Sequence, residues 1–260
     1  MRWARPQTLI GILKMATIKE IEEIVERLFG SISRPPKKSI QAMDQAEARL
    51  GLSLPRMLRE FGRRFGRDGQ LATARETLLS PESWRIRGGA LVFCVENQGV
   101  VLWGIRRSDL GQDDPPVYVA ENREPFKWAW DHDRLSDFFI TLAYWQGIVG
   151  ANLYKGDIGV DEAATPEAIT KFEQLYSEIA LGRNNWGVRV FEGDGKLFLL
   201  QKIGRLTCRV EGRKDAYRTA RELQKIEGQT GLGFTYSLPL ERSPGGKTRP
   251  RETGRGRRGS

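Results

Sequence analysis

The side chains best equipped for chemistry in this sequence are one histidine, two cysteines and a group of aspartates. His132 lies between Asp131 and Asp133, so a Ser-His-Asp or Cys-His nucleophile would depend on it. Neighbours in sequence do not by themselves orient an imidazole, and we interpret His132 as a solvated loop histidine. Cys94 and Cys208 lie in apolar, strand-like runs without C-x-x-C spacing. They are therefore expected to be small buried side chains in a reducing compartment, with no zinc site.

A second group of candidates is weaker. "GGKT" at residues 245–248 imitates the end of a phosphate-binding loop, but Glu241 occupies the position of a required glycine and no helical pattern follows. Four aspartates could gather a hard cation or form the catalytic pair of a hydrolase: Asp113, Asp114, Asp131 and Asp133. Spacing alone does not separate that reading from solvated loop acids. The sequence therefore predicts no catalytic residue, no metal site, no cofactor and no small-molecule substrate.

Positive charge is concentrated at the two ends of the chain. The formal net charge is +9, of which residues 1–16 carry +3 and residues 239–260 carry +5. We predict a flexible amino-terminal arm over residues 1–16. Residues 1–14 are either an extension from an upstream start codon or a genuine part of this arm. A folded domain is expected over 17–238, with a disordered Arg/Gly-rich tail over 239–260. No run approaches the ~18 apolar residues of a membrane span, and "LIGIL" near the start is too short for a secretory signal. The sequence thus predicts a cytoplasmic protein without a membrane partner.

The elements that position these residues follow from apolar spacing. Thr17 and Glu20 form a capping box at the start of an amphipathic helix. Further helices are predicted over 40–50, from Pro55 onward, and over 135–149, 165–181 and 214–226. Strands are predicted over 90–96, 100–105, 116–120 and 126–130, followed later by a β-meander that turns at residues 194–195. Blocks of helices and strands, rather than alternating βαβ units, indicate an α+β fold.

The stretch "VENQGVVLWGI", residues 95–105, raises the question of whether its polar residues form a site. Glu96 to Gly99 fit a tight connection between two strands, in which Asn97 and Gly99 would supply the unusual backbone angles. Trp103 lies in an almost wholly apolar strand and is expected in the core. We interpret the stretch as architecture.

This ordered set of motifs resembles the SUKH superfamily, which includes the yeast cell-wall assembly regulator and many bacterial immunity proteins. The resemblance is carried by "AEARLGLSLPRMLREFGRRFG", "VENQGVVLWGI", "DDPPVY" and "LSDFFITLAYW", in that order. It covers about Ile40 to Trp145 and extends less distinctly to about Leu223. The resemblance implies a single α+β domain with a central antiparallel sheet flanked by helices. It also implies a non-enzymatic protein that neutralises a cognate toxin, often a nuclease, by direct association.

Charge and aromatic residues suggest where a protein partner would bind. Residues 109–137 contain eight acids against three bases, a net charge of −5, which would complement the cationic cleft of a nuclease. Trp128 and Trp130 alternate with Lys127 and Ala129, so one strand face would offer aromatic anchors, unless both tryptophans belong to the core. The predicted partner-binding residues are Asp113, Asp114, Trp128, Trp130, Asp131 and Asp133.

A rival interpretation assigns function to the tail. Disordered Arg/Gly segments bind RNA or DNA non-specifically, and the chain would then be a regulatory or scaffold protein with weak nucleic-acid binding. The tail residues in question are Arg249, Arg251, Arg255, Arg257 and Arg258.

Overall fold

A computed structural model describes residues 16–31, 37–65, 69–150, 158–159, 165–201, 206–210, 224–231 and 235–236. The predicted tail, nearly all of the predicted arm and most of the predicted helix over 214–226 lie outside the described residues. None of the described helices is both long enough and apolar enough to cross a membrane.

Four helices open the fold: α1 (Ile18–Phe29), α2 (Lys37–Leu50), α3 (Arg56–Phe65) and α4 (Gly69–Thr73). The predicted capping box is confirmed, since the Thr17 hydroxyl accepts from the Glu20 amide and the Glu20 carboxylate accepts from the Thr17 amide. Pro55 directly precedes α3, where the missing N–H costs no helical hydrogen bond. The helices pack through apolar stripes such as Ile21, Val25 and Leu28 of α1.

Sheet A contains six antiparallel strands: β1 (Thr77–Leu78), β2 (Arg85–Arg87), β3 (Ala90–Val95), β4 (Val101–Arg106), β5 (Val117–Glu121) and β6 (Ala129–His132). The order is β1-β3-β4-β5-β6, and β2 pairs with the other end of β3 on the same side as β1. The turn between β3 and β4 spans Glu96 to Gly99, as predicted, with the Gly99 amide donating to the Glu96 carbonyl. Gly99 has a φ of +75°, whereas Asn97 is not in the left-handed region. The expectation for Asn97 was therefore wrong, and one glycine suffices for this turn.

Two β-bulges change which side chains reach the core. Between β3 and β4 the register skips Phe93, and between β5 and β6 it skips Asp131. An extra residue on one strand interrupts the alternation of faces, so two successive side chains can turn the same way. Phe93 and Cys94 are both buried on β3, and Asp131 and His132 are both buried on β6.

The helix after sheet A is the central element of the core. All residues of α5 (Leu135–Tyr144) except Ile140 are buried, and the predicted helix over 135–149 is confirmed in its first ten residues. The α-helix ends at Tyr144 rather than at Val149, because Trp145–Gly150 adopt a π-helix. Phe93 packs edge-on against Phe138 of α5, so the inner face of sheet A lies against this helix.

Sheet B also has six antiparallel strands: β7 (Ile158–Gly159), β8 (Ser177–Ile179), β9 (Val188–Gly193), β10 (Lys196–Gln201), β11 (Leu206–Val210) and β12 (Thr235–Tyr236), in the order β12-β7-β11-β10-β9-β8. The predicted meander is present, and its turn has positive φ at Asp194 and Gly195. Helix α6 (Pro166–Leu175) is shorter than predicted, because the following residues leave the helix and pair with β9. The fold is α+β, but it contains two antiparallel sheets instead of one central sheet. Both sheets contribute to one hydrophobic core.

Candidate functional site

The outer face of sheet A, turned away from α5, carries a line of directly paired residues. Successive strands place the following side by side: Arg85, Val92, Gly104, Tyr118 and Trp130. Residues directly opposite one another on neighbouring strands share a face. Side chains alternate along a strand, so a residue two positions away lies on the same face. Arg87 therefore shares the face with Arg85, and Arg106 shares it with Gly104. Trp103, one position from Gly104, is only 6% exposed on the inner face, as predicted.

Trp128 folds onto this face just before β6 begins. Its six-membered ring covers Gly104, where an added Cβ would lie 3.0 Å from the ring and 2.9 Å from the Leu91 carbonyl oxygen. The Trp128 indole N–H donates to the Arg87 carbonyl at 3.1 Å, and Phe126 stacks beside the indole. The glycine in an otherwise apolar strand thus makes room for a tryptophan, and Trp128 is half-buried.

Two arginines stack on the other aromatic rings of the face. The Arg106 guanidinium carbon lies 4.0 Å from the centre of the Tyr118 ring, and one of its amino groups donates to the Trp128 carbonyl at 2.7 Å. The Arg183 guanidinium carbon lies 4.1 Å from the centre of a Trp130 ring, and Arg183 also pairs with Asp133 at 3.2 Å. We refer to Arg85, Arg87, Arg106, Tyr118, Trp128, Trp130 and Arg183 as the Arg–aromatic face.

The predicted site residues Asp113 and Asp114 lie elsewhere, between the amino-terminal ends of two helices. The Asp113 carbonyl accepts from the Met57 amide of α3 at 2.9 Å, and its carboxylate pairs with Arg56 at 3.1 Å. The Asp114 carboxylate accepts from both the amide and the hydroxyl of Ser136, at 2.9 and 2.6 Å. Both groups satisfy N–H donors that a helix leaves unpaired at its amino end, a backbone carbonyl at α3 and a carboxylate at α5. These two aspartates therefore hold α3 and α5 together.

Asp131 and His132 form a buried pair, 1% and 0% exposed. One oxygen of Asp131 lies 2.8 Å from His132 Nδ1 and accepts from the Trp186 indole N–H at 3.0 Å. His132 Nε2 has no hydrogen-bond partner among the described residues. The interpretation of His132 as a solvated loop residue was therefore wrong: the bulge in β6 turns it inward. Neither side chain is accessible to a substrate in this conformation.

A second buried carboxylate belongs to Glu76, which is 4% exposed. It accepts from the Trp145 indole N–H at 3.0 Å and from the Asn97 amide at 2.9 Å. Burial raises the pKa of Glu76 above its ordinary value, although these two hydrogen bonds oppose the shift. Its neighbour Gln146, in the π-helix, accepts from the Arg75 and Glu76 amides and donates to the Leu71 and Glu76 carbonyls. This cluster fastens the turn before β1 to the core.

Electrostatic partners account for most of the acids in the predicted acidic region. Burial raises the pKa of Asp137, and its ion pair with Arg134 at 2.9 Å opposes that shift. Glu121 pairs with Arg123. Burial raises the pKa of Tyr118, and its hydrogen bond with Asp109 raises that pKa further. The described residues contain no group of three or more His, Cys, Asp or Glu side chains that could hold a metal ion.

The predicted partner-binding set is thus divided among three places. Trp128, Trp130 and Asp133 lie together at the Arg–aromatic face, Asp113 and Asp114 join two helices, and Asp131 is buried. The tail residues of the rival interpretation lie outside the described part of the chain. The sequence did not single out Tyr118, Arg85, Arg87 or Arg106. Alternation along the predicted strand over 116–120 would have placed Tyr118 on the face, but no strand was predicted over Arg85–Arg87, and Arg106 follows the predicted strand over 100–105. No sequence signal marks Arg183, which reaches Trp130 from the loop before β9.

Comparisons of this chain with models of known protein families, with curated proteins and with solved structures give no significant match, so the SUKH resemblance rests on sequence motifs alone.

Proposed function

We propose that this chain is a non-enzymatic protein-binding module, a bacterial immunity protein of SUKH type that neutralises a cognate toxin by direct binding. The observation that carries the proposal is the composition of the Arg–aromatic face. Trp, Tyr and Arg are the residues most enriched among those that dominate binding energy in protein interfaces. Here they occupy one side of a sheet whose other side packs on the core.

The geometry of the face supports this role. Its rings and the guanidinium groups of Arg106 and Arg183 are held by the contacts already described, so they lose little side-chain freedom when a partner binds. Arg85, Arg87 and Arg106 are exposed, whereas Tyr118, Trp128 and Trp130 are half-buried. A half-buried aromatic centre surrounded by exposed charged side chains is typical of a preformed binding surface.

The distribution of reactive groups also favours binding over catalysis. The one histidine of the chain and its aspartate partner are enclosed in the core. The acids that would have formed an acidic docking loop are engaged with the protein itself: Asp113 with Arg56, Asp114 with Ser136 and Asp133 with Arg183. We therefore place the contact surface on the Arg–aromatic face and not on the acidic loop.

The test uses the full chain, tagged and expressed in its own host, with any partner recovered at defined stoichiometry. We expect Tyr118→Ala combined with Trp130→Ala to abolish recovery of the partner and protection against the toxin. Ile40→Ala combined with Leu175→Ala is a matched control, since both side chains are exposed apolar groups on helices away from the face. Retention of the partner by the aromatic variant, with a normal melting temperature, would refute this assignment.

The rival role of the basic tail has its own test. Deleting residues 242–260 and measuring retention on RNA or DNA at two salt concentrations separates the tail from the body. Loss of retention with unaffected partner recovery would make nucleic-acid binding an accessory activity.

A further inference from the structure

We infer that the Arg–aromatic face recognises an acidic protein surface, whose carboxylates bind to the exposed arginines of the face. This inference rests on the proposed binding function and specifies the chemistry of the partner. It also reverses the charge expected from the sequence, where an acidic region was matched to a cationic partner.

The exposed arginines of the face donate to neutral oxygen atoms. Arg85 donates to the carbonyls of Glu82 and Trp84, and Arg87 donates to the Asn122 side-chain oxygen. Arg106 donates to the Trp128 carbonyl. Among the described residues, none of these three exposed guanidinium groups pairs with a carboxylate. Their charges are therefore available to a partner, whereas Asp133 already pairs with Arg183.

Close contact with an aromatic ring holds the Arg106 guanidinium in place. Its central carbon lies 4.0 Å from the centre of the Tyr118 ring, and the corresponding carbon of Arg183, which already pairs with Asp133, lies 4.1 Å from the centre of a Trp130 ring. A guanidinium offers N–H donors that match the two oxygens of a carboxylate. Because the ring limits the freedom of Arg106 before a partner arrives, less side-chain entropy is lost on binding.

The covered aromatic rings favour an acidic protein over a single-stranded nucleic acid. Proteins that bind single strands offer open aromatic faces on which bases stack. Here one face of Tyr118 and one of Trp130 are covered by arginines, and Trp128 covers Gly104 while stacking beside Phe126. These contacts occupy ring faces on which bases would stack, so the observations favour carboxylate recognition.

The experiment titrates the full chain with poly-L-glutamate and, separately, with oligo-thymidylate of matched charge. Hydroxyl-radical footprinting of Tyr118 and Trp130 reports occupancy of the face independently of any binding by the tail. We expect poly-L-glutamate to protect both residues at about 50 mM salt and much less at about 200 mM. Oligo-thymidylate should leave them unprotected.

Two variants identify the groups responsible. The triple substitution Arg85→Gln, Arg87→Gln, Arg106→Gln should weaken poly-L-glutamate protection by more than about tenfold in concentration. A matched variant, Lys19→Gln, Lys171→Gln, Lys225→Gln, removes three exposed charges elsewhere and should protect as the wild type does. If the triple Gln variant misfolds, the triple Arg→Lys variant at the same positions replaces it. Lysine retains the charge but cannot form two parallel hydrogen bonds to one carboxylate, so this variant should show intermediate protection.

Absence of protection by poly-L-glutamate in the wild type, or equal protection in the face and matched variants, overturns the inference. Protection by oligo-thymidylate alone would assign the face to nucleic acid. These outcomes are separate from failure of the proposed function. If the Tyr118/Trp130 variant loses the partner but the arginine variant still binds it, the binding role of the face stands. Only the acidic chemistry of the partner is then rejected.

Discussion

Asp114 accepts two hydrogen bonds from Ser136, one from its amide and one from its hydroxyl, across 22 positions of sequence. Ser136 lies in the first turn of α5, so a loop residue supplies the cap that the residue before the helix does not provide. The adjacent Asp113 pairs with Arg56, between two exposed side chains.

The two aspartates should therefore differ sharply when mutated. We expect Asp114→Ala to lower the free energy of unfolding by about 1–2 kcal/mol, the usual cost of losing a helix cap. Asp113→Ala should cost less than about 1 kcal/mol, because exposed ion pairs contribute little. Urea unfolding of both variants measures the difference, and equal costs would contradict the capping role. Asp113→Lys, with Asp114 unchanged, keeps the cap of α5 and tests by partner recovery whether this loop has a binding role.

The contact between Gly104 and Trp128 makes a second prediction. Gly104→Ala places a methyl group against the Leu91 carbonyl and the indole, so the ring or the strand has to move. We expect a loss of about 1–3 kcal/mol in stability and a changed tryptophan fluorescence spectrum. Gly111→Ala is the control, since nothing lies within 4 Å of its added Cβ. An unchanged spectrum and stability for Gly104→Ala would show that the indole does not lie on this glycine.

The indole of Trp186 is expected to stabilise the buried Asp131. Trp186→Phe removes the N–H that donates to the carboxylate at 3.0 Å, and a buried acceptor that loses a donor costs about 1–3 kcal/mol. Trp130→Phe makes the same chemical change on the outer face and should cost clearly less, because the Trp130 indole N–H donates to no group among the described residues, whereas that of Trp186 donates to Asp131. Thermal unfolding of the two variants compares them directly. Equal losses would mean that the bond to Asp131 contributes nothing measurable.

Glu76 should make stability depend on pH. Burial raises its folded-state pKa above the ordinary value of 4.5, so the folded state holds the proton more tightly than the unfolded state. The resulting stabilisation is complete below pH 4.5 and is lost as the pH rises through the raised pKa. We expect the stability of the wild type relative to Glu76→Gln to be greater at pH 4 than at pH 7, in urea unfolding at both values. The opposite trend would mean that the hydrogen bonds outweigh burial.

The α+β class and most element positions follow from local signals. Thr17 and Glu20 mark the start of α1, Gly99 marks the β3–β4 turn, and the apolar run after Arg134 predicts α5. Local periodicity did not reveal the second sheet as separate, because pairing between distant strands such as β7 and β12 leaves no mark in either segment.

The candidate site was predicted only in part, for the same reason. Trp128 and Trp130 were expected on one face, and the structure places them there. His132 was misassigned because a one-residue bulge has no clear sequence signature, and alternation counted from Trp130 gives it the wrong side. The acids at 113 and 114 looked free because their partners, Arg56 and Ser136, are distant in sequence.

The extra residue in β6 ties two buried polar contacts to a single insertion. Removing Asp131 would restore the ordinary two-residue repeat, so His132 would directly follow Trp130 and still lie opposite Val117 on the inner face. The Trp186 indole N–H and His132 Nδ1 would both lose the carboxylate oxygen that they share. Relatives of this protein that lack the residue at 131 should therefore also lack the indole at 186, whereas relatives that keep it should keep a carboxylate there.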